Sequence, residues 1–325
     1  MNGSGTFFQF ALGFAVGFSL LSACAIGEEP TPRTNNAASA KPAQFFDLKV
    51  IQNQFKEPNS IAVYERSDGG GMVFLPCGAD GNSTWCYLDS GKLSSVTYSK
   101  EFSSYPSLGR QDMVGLNGGM KTADIIQVKN FEFAGNHVGP KKIQRITLEP
   151  GKALGFFSMV EMQLGNDVLL EAPFEINFKA RLFHLNPAKF PERDLQSLAV
   201  SNFGQTLLTA TVENQSLLAI WDTGCAFTVV DRKFVDANPG LFSPIPKNLN
   251  NLDFSGKVGQ VARYKMKNIQ VGSLRLEDHI VVATSLEYVN EGASQPVVLL
   301  LGYNAITRAN WYFDVPKKVW AVEPF

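Results

Sequence analysis

The sequence contains few histidines and shows no excess of charge of either sign. It has three histidines (His137, His184 and His279) and no Cys-x-x-Cys pair, so no ligand cluster predicts a metal site. No Gly-x-Ser-x-Gly motif is present, which argues against a serine nucleophile on a strand-to-helix turn. Lysine and arginine number 29 against 30 acidic residues, so there is no electrostatic footprint for nucleic acid. We therefore expect no metal, no cofactor and no nucleic-acid partner.

Long amphipathic blocks rich in Ala, Glu, Lys and Leu are also missing. The 28 glycines, 17 prolines and 25 phenylalanines instead favour short strands joined by many turns. With 45% hydrophobic and 18% charged residues, the 325-residue chain is not disordered. It is long enough for one large domain or for two of about 150 residues. The predicted fold class is all-β.

Residues 1–23 predict a signal peptide. Positions 7–23 carry no charge and end in small residues directly before Cys24. The segment resembles a bacterial lipoprotein signal, which implies export, cleavage before Cys24 and a lipid anchor on that cysteine, facing the periplasm or the cell surface. Residues 1–10 contain no Lys or Arg, unlike the usual signal, and a single transmembrane anchor is the alternative. Residues 24–44 are polar and rich in Pro, Ala and Asn, which predicts a flexible linker.

The cysteines after Cys24 have two interpretations. Cys77 and Cys86 flank the turn-rich segment 78–83, so a disulfide across a hairpin is geometrically possible in an oxidising compartment. The alternative is that both thiols are free. Cys225 has no obvious partner.

The chain contains an internal duplication. Three pairs of similar segments recur in the same order at offsets of 133, 138 and 137 residues: 84–91 with 217–224, 129–133 with 267–271, and 164–178 with 301–315. Such regularity predicts two homologous lobes, 45–190 and 191–325, joined through the Pro-containing stretch 186–191. In the second lobe the β-rich runs are 205–212, 216–221, 261–266, 268–271, 279–283 and 311–315, with a short helix after Gly302.

Two copies of one short motif occupy equivalent points of this duplication. They are Asp89-Ser90-Gly91 and Asp222-Thr223-Gly224, and each follows an apolar strand. On these motifs the chain resembles the aspartic protease family, pepsin-like in having two lobes and retropepsin-like in its compactness. The resemblance implies an all-β, two-lobed fold with the active-site cleft between the lobes. It also implies that Asp89 and Asp222 are the catalytic pair.

The resemblance assigns supporting roles as well. Ser90 and Thr223 are expected to hydrogen-bond across the lobe interface, although a local turn bond is the alternative for each. Gly91 and Gly224 would allow tight turns beside the carboxylates. An apolar-apolar-Gly segment is expected to thread beside each turn in a ψ-shaped loop. These segments contain Leu164 with Gly165 and Leu301 with Gly302.

The implied function is peptide-bond hydrolysis by a water activated between two aspartates. The expected substrate is a peptide or an unfolded protein bound in extended form, and the expected state is a monomer anchored to the membrane by lipid. The alternative is a catalytically inactive lipoprotein that keeps this fold as a peptide-binding or structural module.

Four features depart from the family pattern. Lys92 follows the first motif, where the family has a small residue. Either its charge favours ionisation of the two aspartates, or its side chain extends so that the ammonium group reaches solvent. Cys225 is the matching residue of the second motif, and Gln163 replaces an apolar residue of the first ψ-loop. No flap tyrosine is evident. The glycine-rich stretch Met113 to Ala123 suits either a mobile hairpin tip over the cleft or an ordinary loop.

Overall fold

The computed structural model describes residues 24–26, 51–115, 119–147, 160–252, 258–291, 293 and 295–325. These residues are mostly β-strand with few helices, so the predicted all-β class is confirmed. The signal peptide and almost all of the linker lie outside the described residues. Only the backbone of Cys24–Ile26 (β1) belongs to the described part, where it pairs antiparallel with residues 250–252.

An N-terminal sheet of eight strands is formed by the first half of the chain. Its strands are β2 (Ala62–Glu65), β3 (Gly71–Ala79), β4 (Asn82–Leu88), β5 (Val96–Thr97), β6 (Gly109–Val114), β7 (Met120–Phe133), β8 (Asn136–Arg145) and β9 (Met162–Leu164). Their order across the sheet is β2-β3-β4-β9-β5-β8-β7-β6, and an extra pairing of β3 with β7 curls the sheet on itself.

The second half of the chain builds a C-terminal sheet in the same way. Its strands, besides β1, are β13 (Ala199–Val200), β14 (Thr206–Val212), β15 (Gln215–Trp221), β16 (Thr228–Asp231), β17 (Phe242–Leu252), β18 (Val258–Met266), β19 (Ile269–Val271), β20 (Leu274–Leu276), β21 (His279–Thr284) and β22 (Val297–Leu301). From β14 the central order is β14-β15-β22-β16-β21-β18-β17, which repeats β3-β4-β9-β5-β8-β7-β6 strand for strand.

The register of the two sheets repeats as well. Cys77 pairs with Phe133 where β3 meets β7, and Ala210 pairs with Val271 where β14 meets β19. These are the same positions once the offsets of 133 and 138 residues are applied. The duplication read from the sequence is therefore a duplication of strand order and of pairing register.

A third sheet of five strands joins the two halves. It consists of β10 (Phe174–Asn177), β11 (Leu182–Leu185), β12 (Gln196–Ser197), β23 (Ala309–Asp314) and β24 (Val319–Pro324), in the order β11-β10-β23-β24-β12. Phe174 of the first half pairs with Phe313 of the second, and their rings stack with centroids 4.9 Å apart. The ring of Trp221, also from the second half, lies on Phe174 with centroids 6.2 Å apart, so burial of large aromatic surface stabilises the junction between the halves.

Tight turns connect the strands. Asp80 and Gly81 both have positive φ between the paired residues Ala79 and Asn82, which is the two-residue hairpin geometry that Asp-Gly favours. This is the hairpin flanked by Cys77 and Cys86, and those two cysteines form a disulfide across it. Of the two interpretations of Cys77 and Cys86, a disulfide or two free thiols, the structure contains the disulfide.

Helices are short and lie at the ends of strands. Those that lie wholly within the described residues are α1 (Asn166–Leu169), α2 (Arg232–Ala237) and α3 (Tyr303–Ile306), with 3-10 turns at Lys100–Phe102 and Pro239–Leu241. Within the part of the chain that the structure describes, no helix is both long enough and apolar enough to cross a bilayer.

The six strands and the helix predicted in the second half are all present, with boundaries displaced by up to three residues. Strand β17 was not predicted, because Pro244 and Pro246 argue against a strand. In the structure Pro246 lies within an irregularity in the pairing of β17 with β18, between Ile245 and Leu249, and Pro244 pairs with Tyr264 just before it. Prolines are tolerated where regular pairing is interrupted.

Candidate active site

The two Asp-Ser/Thr-Gly motifs occupy equivalent places at the ends of central strands. Asp89 follows β4 and Asp222 follows β15. The backbone N–H of Asp89 donates to Leu164 O at 2.9 Å, and that of Asp222 donates to Leu301 O at 3.0 Å. The parallel strands β9 and β22 therefore hold the two aspartates in the same manner, at the positions expected for the two ψ-loops.

Two hydroxyl groups join the motifs across the interface. Ser90 Oγ donates to Trp221 O at 2.8 Å, and Thr223 Oγ1 donates to Leu88 O at 2.9 Å. Each hydroxyl also accepts the backbone N–H of the other residue, both at 3.0 Å. Because both hydroxyls bond to the other half of the chain, the alternative of a purely local turn bond is wrong for Ser90 and Thr223, and both residues are fully buried. The four bonds fix the two turns relative to each other.

The carboxyl group of Asp222 lies against the first motif. A Cβ atom built on Gly91 would come within 2.5 Å of the carboxyl carbon and both oxygens of Asp222. Only glycine leaves this space, and the Gly91 N–H donates to the same carboxylate. The contact places the carboxyl group of Asp222, from the second half, against Gly91, which is two residues after Asp89 in the sequence.

Asp222 is 4% exposed and well supplied with donors. Its Oδ1 accepts the Gly224 N–H at 2.8 Å, and its Oδ2 accepts the Cys225 thiol at 3.1 Å. Burial nevertheless dominates and raises the pKa of Asp222, while the hydrogen bonds oppose this shift. The sequence analysis noted that Cys225 lacks a hydroxyl. In the structure its thiol donates to the carboxylate instead.

Asp89 is 0% exposed, and its neighbour Lys92 is buried to the same extent. Lys92 does not extend to solvent, so that alternative is wrong. Its ammonium donates to Gln163 Oε1 at 3.0 Å, an oxygen that also accepts the Tyr98 hydroxyl at 3.0 Å. Burial lowers the pKa of Lys92 to about 8, against the attraction of Asp89 and, more weakly, of Asp167.

The glycines of the two ψ-loops, Gly165 and Gly302, pack against the backbone just after the Asp-Ser/Thr-Gly motif of the same half. Gly165 and Gly302 are both extended and both precede a short helix. A Cβ on Gly165 would clash with the backbone of Ser94, and one on Gly302 would clash with the backbone of Phe227 and Cys225. Glycine is required at both positions because the strands and turns approach closely there.

Behind each ψ-loop a hydroxyl anchors the glycine. Ser95 Oγ accepts the Gly165 N–H at 3.0 Å, and Thr228 Oγ1 lies 3.4 Å from the Gly302 nitrogen. Ser95 N–H and Oγ donate to the carboxylate of Asp167. Burial raises the pKa of Asp167 to about 6, which the Ser95 bonds oppose. The equivalent of Asp167 is Asn304, whose amide oxygen accepts Thr228 N–H at 2.8 Å.

Residues that sequence reasoning missed complete the contacts between the halves. The Tyr87 hydroxyl donates to Gly224 O at 2.5 Å. Asn166 Nδ2 donates to Ser90 O at 2.7 Å and to Gly204 O at 2.8 Å. Tyr87 could have been found by its place two residues before Asp89 on the same strand face, whereas Asn166 had no signal.

One histidine is part of this framework. His279 Nε2 lies 2.8 Å from Thr228 Oγ1, and the ring is 1% exposed. Burial lowers the pKa of His279 to about 3, so the imidazole is neutral. Among the described residues, no three His, Cys, Asp or Glu side chains gather into a group that could hold a metal ion.

The glycine-rich stretch Met113 to Ala123 forms the end of the β6–β7 hairpin. The Gly115 N–H donates to Gly119 O at 2.7 Å, while residues 116–118, including Gly118, lie outside the described part. Met113 and Ala123 are buried with Tyr87 in one apolar cluster. The stretch is thus the end of a hairpin, and its mobility and its place over a cleft stay predictions.

Comparison of the sequence with protein-family models and with curated proteins gave no match.

Proposed function

We propose that this chain is an aspartic endopeptidase with the two-lobed fold of that family. The observation that carries the proposal is the cross-linked pair of Asp-Ser/Thr-Gly turns. Two buried motifs at equivalent strand ends exchange four hydrogen bonds, and the Asp222 carboxyl group lies against Gly91 of the other motif. An ordinary turn needs no such symmetric partner.

The chemistry follows from two carboxyl groups held in a buried place. Since two neighbouring carboxylates cannot both ionise at low cost, the pair keeps one proton. The ionised member takes a proton from a water molecule between the two groups, and the hydroxide oxygen bonds to the carbonyl carbon of the peptide. The protonated member gives its proton to the carbonyl oxygen. The resulting diol collapses as the C–N bond breaks and the amine nitrogen takes up a proton.

The substrate in this proposal is a peptide or unfolded protein, bound in extended form between the lobes. Main-chain hydrogen bonds to such a substrate require free backbone groups near the aspartates. The Gly224 carbonyl beside Asp222 already accepts the buried Tyr87 hydroxyl at 2.5 Å, so the proposal treats it as part of the framework of the site and not as a substrate contact.

The proposal includes export and lipid anchoring at Cys24, with the enzyme acting as a monomer at the cell surface or in the periplasm. What supports it is the apolar segment before Cys24 in the sequence. The disulfide between Cys77 and Cys86 suits an oxidising compartment.

A second candidate function is favoured by one observation. Lys92 buries a cation beside Asp89, where the equivalent residue of the other motif is the uncharged Cys225. A module that binds peptides without cleaving them would tolerate this charge, because binding does not require a shared proton.

The test is cleavage of an unfolded, fluorescently labelled protein by the purified protein across a pH series. Asp222→Asn and Asp89→Asn should each reduce the rate by about 10²- to 10⁴-fold or more, since each removes a proton-transfer group. Asp236→Asn, at an exposed position on α2, is the matched control and should leave the rate unchanged. A folded protein that binds the substrate but cleaves it at no pH would establish the binding module instead.

A further inference from the structure

The surroundings of the two aspartates differ in charge although their backbones are equivalent. Lys92 and Cys225 stand at the same position of the two motifs, 133 residues apart, and Gln163 corresponds to Leu300 of the second ψ-loop. Asp222 receives a thiol hydrogen bond from Cys225. On the first side the same position carries a buried ammonium group.

The ammonium group is held by a polar network inside an apolar region. Gln163 Oε1 accepts both Lys92 Nζ and the Tyr98 hydroxyl, each at 3.0 Å, and Gln163 is 0% exposed. If Gln163 Oε1 moved away from either donor, that donor would be left buried without a hydrogen-bond partner. The network therefore fixes the position of the Lys92 ammonium group. Gln163 pairs with Tyr87 of β4 on one side and with Val96 of β5 on the other, and both belong to a buried apolar cluster.

The charged and titratable groups around Lys92 come from three elements. Asp89 belongs to its own turn, Asp167 to α1, and Tyr98 follows β5. Lys141 of β8 also lies beside Asp167, since its Nζ donates to the Asp167 carbonyl oxygen at 3.3 Å and its charge opposes the raised pKa of that carboxyl group. Asp89 is the stronger of the two anionic neighbours of Lys92. A cation in this position stabilises the ionised form of the nearer carboxyl group.

Resting on the proposed function, we propose that Lys92 is a positioning residue that makes the two aspartates unequal, with Asp89 as the ionised base and Asp222 as the carrier of the shared proton. Asp89 then takes the proton from water, and Asp222 donates its proton to the carbonyl oxygen. A symmetric pair has no fixed assignment, so the cation converts two equivalent carboxyl groups into one base and one acid.

Lys92→Met tests this assignment through the pH dependence of kcat/KM. The methionine keeps the length and apolar stem of the lysine and removes the charge. Because the cation no longer stabilises ionised Asp89, the acid limb of the profile should move to higher pH by at least one unit. Gln163→Leu, which installs the residue found at the equivalent position 300, should move it in the same direction by less. Lys142→Met, at an exposed position on β8, is the matched control and should leave the limb in place.

A second measurement reads the charges without requiring turnover. Side-chain carboxyl ¹³C shifts are followed from pH 4 to 9 in the whole protein, with Asp89→Asn and Asp222→Asn to assign the two signals. The signal of Asp89 should be that of a carboxylate and that of Asp222 that of an acid at neutral pH. In Lys92→Met the Asp89 signal should shift toward the protonated value.

The outcomes separate the two proposals. An active enzyme whose acid limb is unchanged in Lys92→Met, or a protonated Asp89 beside an ionised Asp222, overturns the role of Lys92. An inactive protein whose carboxyl signals still respond to Lys92→Met supports that role and rejects the peptidase. If Lys92→Met does not fold, Gln163→Leu and the signals of the unsubstituted protein decide.

Discussion

The N-terminal and C-terminal halves share a backbone but differ in what they bury. Around the second ψ-loop the supporting residues are uncharged: Cys225, Leu300 and Asn304. The first half places Lys92, Gln163 and Asp167 at the same positions. Strand order, pairing register and the bonds of the two turns are nevertheless alike. The comparison teaches that backbone geometry survives duplication because close packing restrains it, whereas the charge behind each aspartate is free to diverge.

The largest loss of stability should come from disrupting the close backbone packing that is found in both halves. Gly302→Ala places a methyl group against backbone atoms of Phe227 and Cys225, which cannot rotate away. We expect a loss of about 3 kcal/mol or more in the free energy of unfolding, and a smaller loss for Gly165→Ala. Denaturant titration measures both. Gly240→Ala, where a Cβ meets nothing within 4 Å, should cost little. Equal stability of Gly302→Ala and Gly240→Ala would contradict the close packing.

The bonds between the two turns offer the next test. Thr223→Val leaves Leu88 O and the Ser90 N–H without their partner in a buried place. Ser90→Ala does the same to Trp221 O and the Thr223 N–H. Each variant should lose at least about 2 kcal/mol of unfolding free energy, because it leaves two buried groups unsatisfied at a cost of about 1–3 kcal/mol each.

Because the four bonds form one network, the double variant should lose less than the sum of the two single variants. Thermal and urea unfolding measure this, with exposed Thr209→Val on β14 as the control. Strict additivity of the two losses would show that the two hydroxyls act independently. It would contradict the view that the four bonds form one symmetric network between the halves.

The smallest effect should distinguish the halves by charge. The pKa of Lys92 is lowered from 10.5 to about 8 in the folded chain. Between these pH values the unfolded chain binds a proton that the folded chain does not, so the folded state gains stability as pH rises. The gain should not exceed about 1.4 kcal/mol per pH unit from pH 8 to 10.

Lys92→Met should lack this rise, and the difference between the two proteins removes contributions from other groups. One such group is Tyr303, whose pKa burial raises to about 12, so it lowers stability above pH 10. Urea titrations at pH 7, 8, 9 and 10 suffice. Parallel curves for the unsubstituted protein and Lys92→Met would mean that Lys92 is not buried as a cation.

Much of the site could be predicted because a duplicated sequence carries its own internal comparison. Two apolar strands ending in Asp-Ser/Thr-Gly, and two later Leu-Gly pairs at a similar offset, located four equivalent backbone segments. The hairpin at Asp80-Gly81 could be predicted from its own residues, since Asp and Gly adopt positive φ readily. Strand β17 was missed because its prolines contradict a strand unless the pairing partner is known.

The sequence by itself determined the all-β class, the repeat and the equivalence of the two motifs, because strand period, turn residues and internal similarity are local properties. Only the tertiary structure decided which groups surround each carboxyl group. Lys92 meets Gln163 from 71 residues away, and Ser90 meets Thr223 from 133 residues away. Whether a lysine is buried with a partner or solvated depends on such distant contacts, since desolvation and attraction are set by neighbours in space and not along the chain.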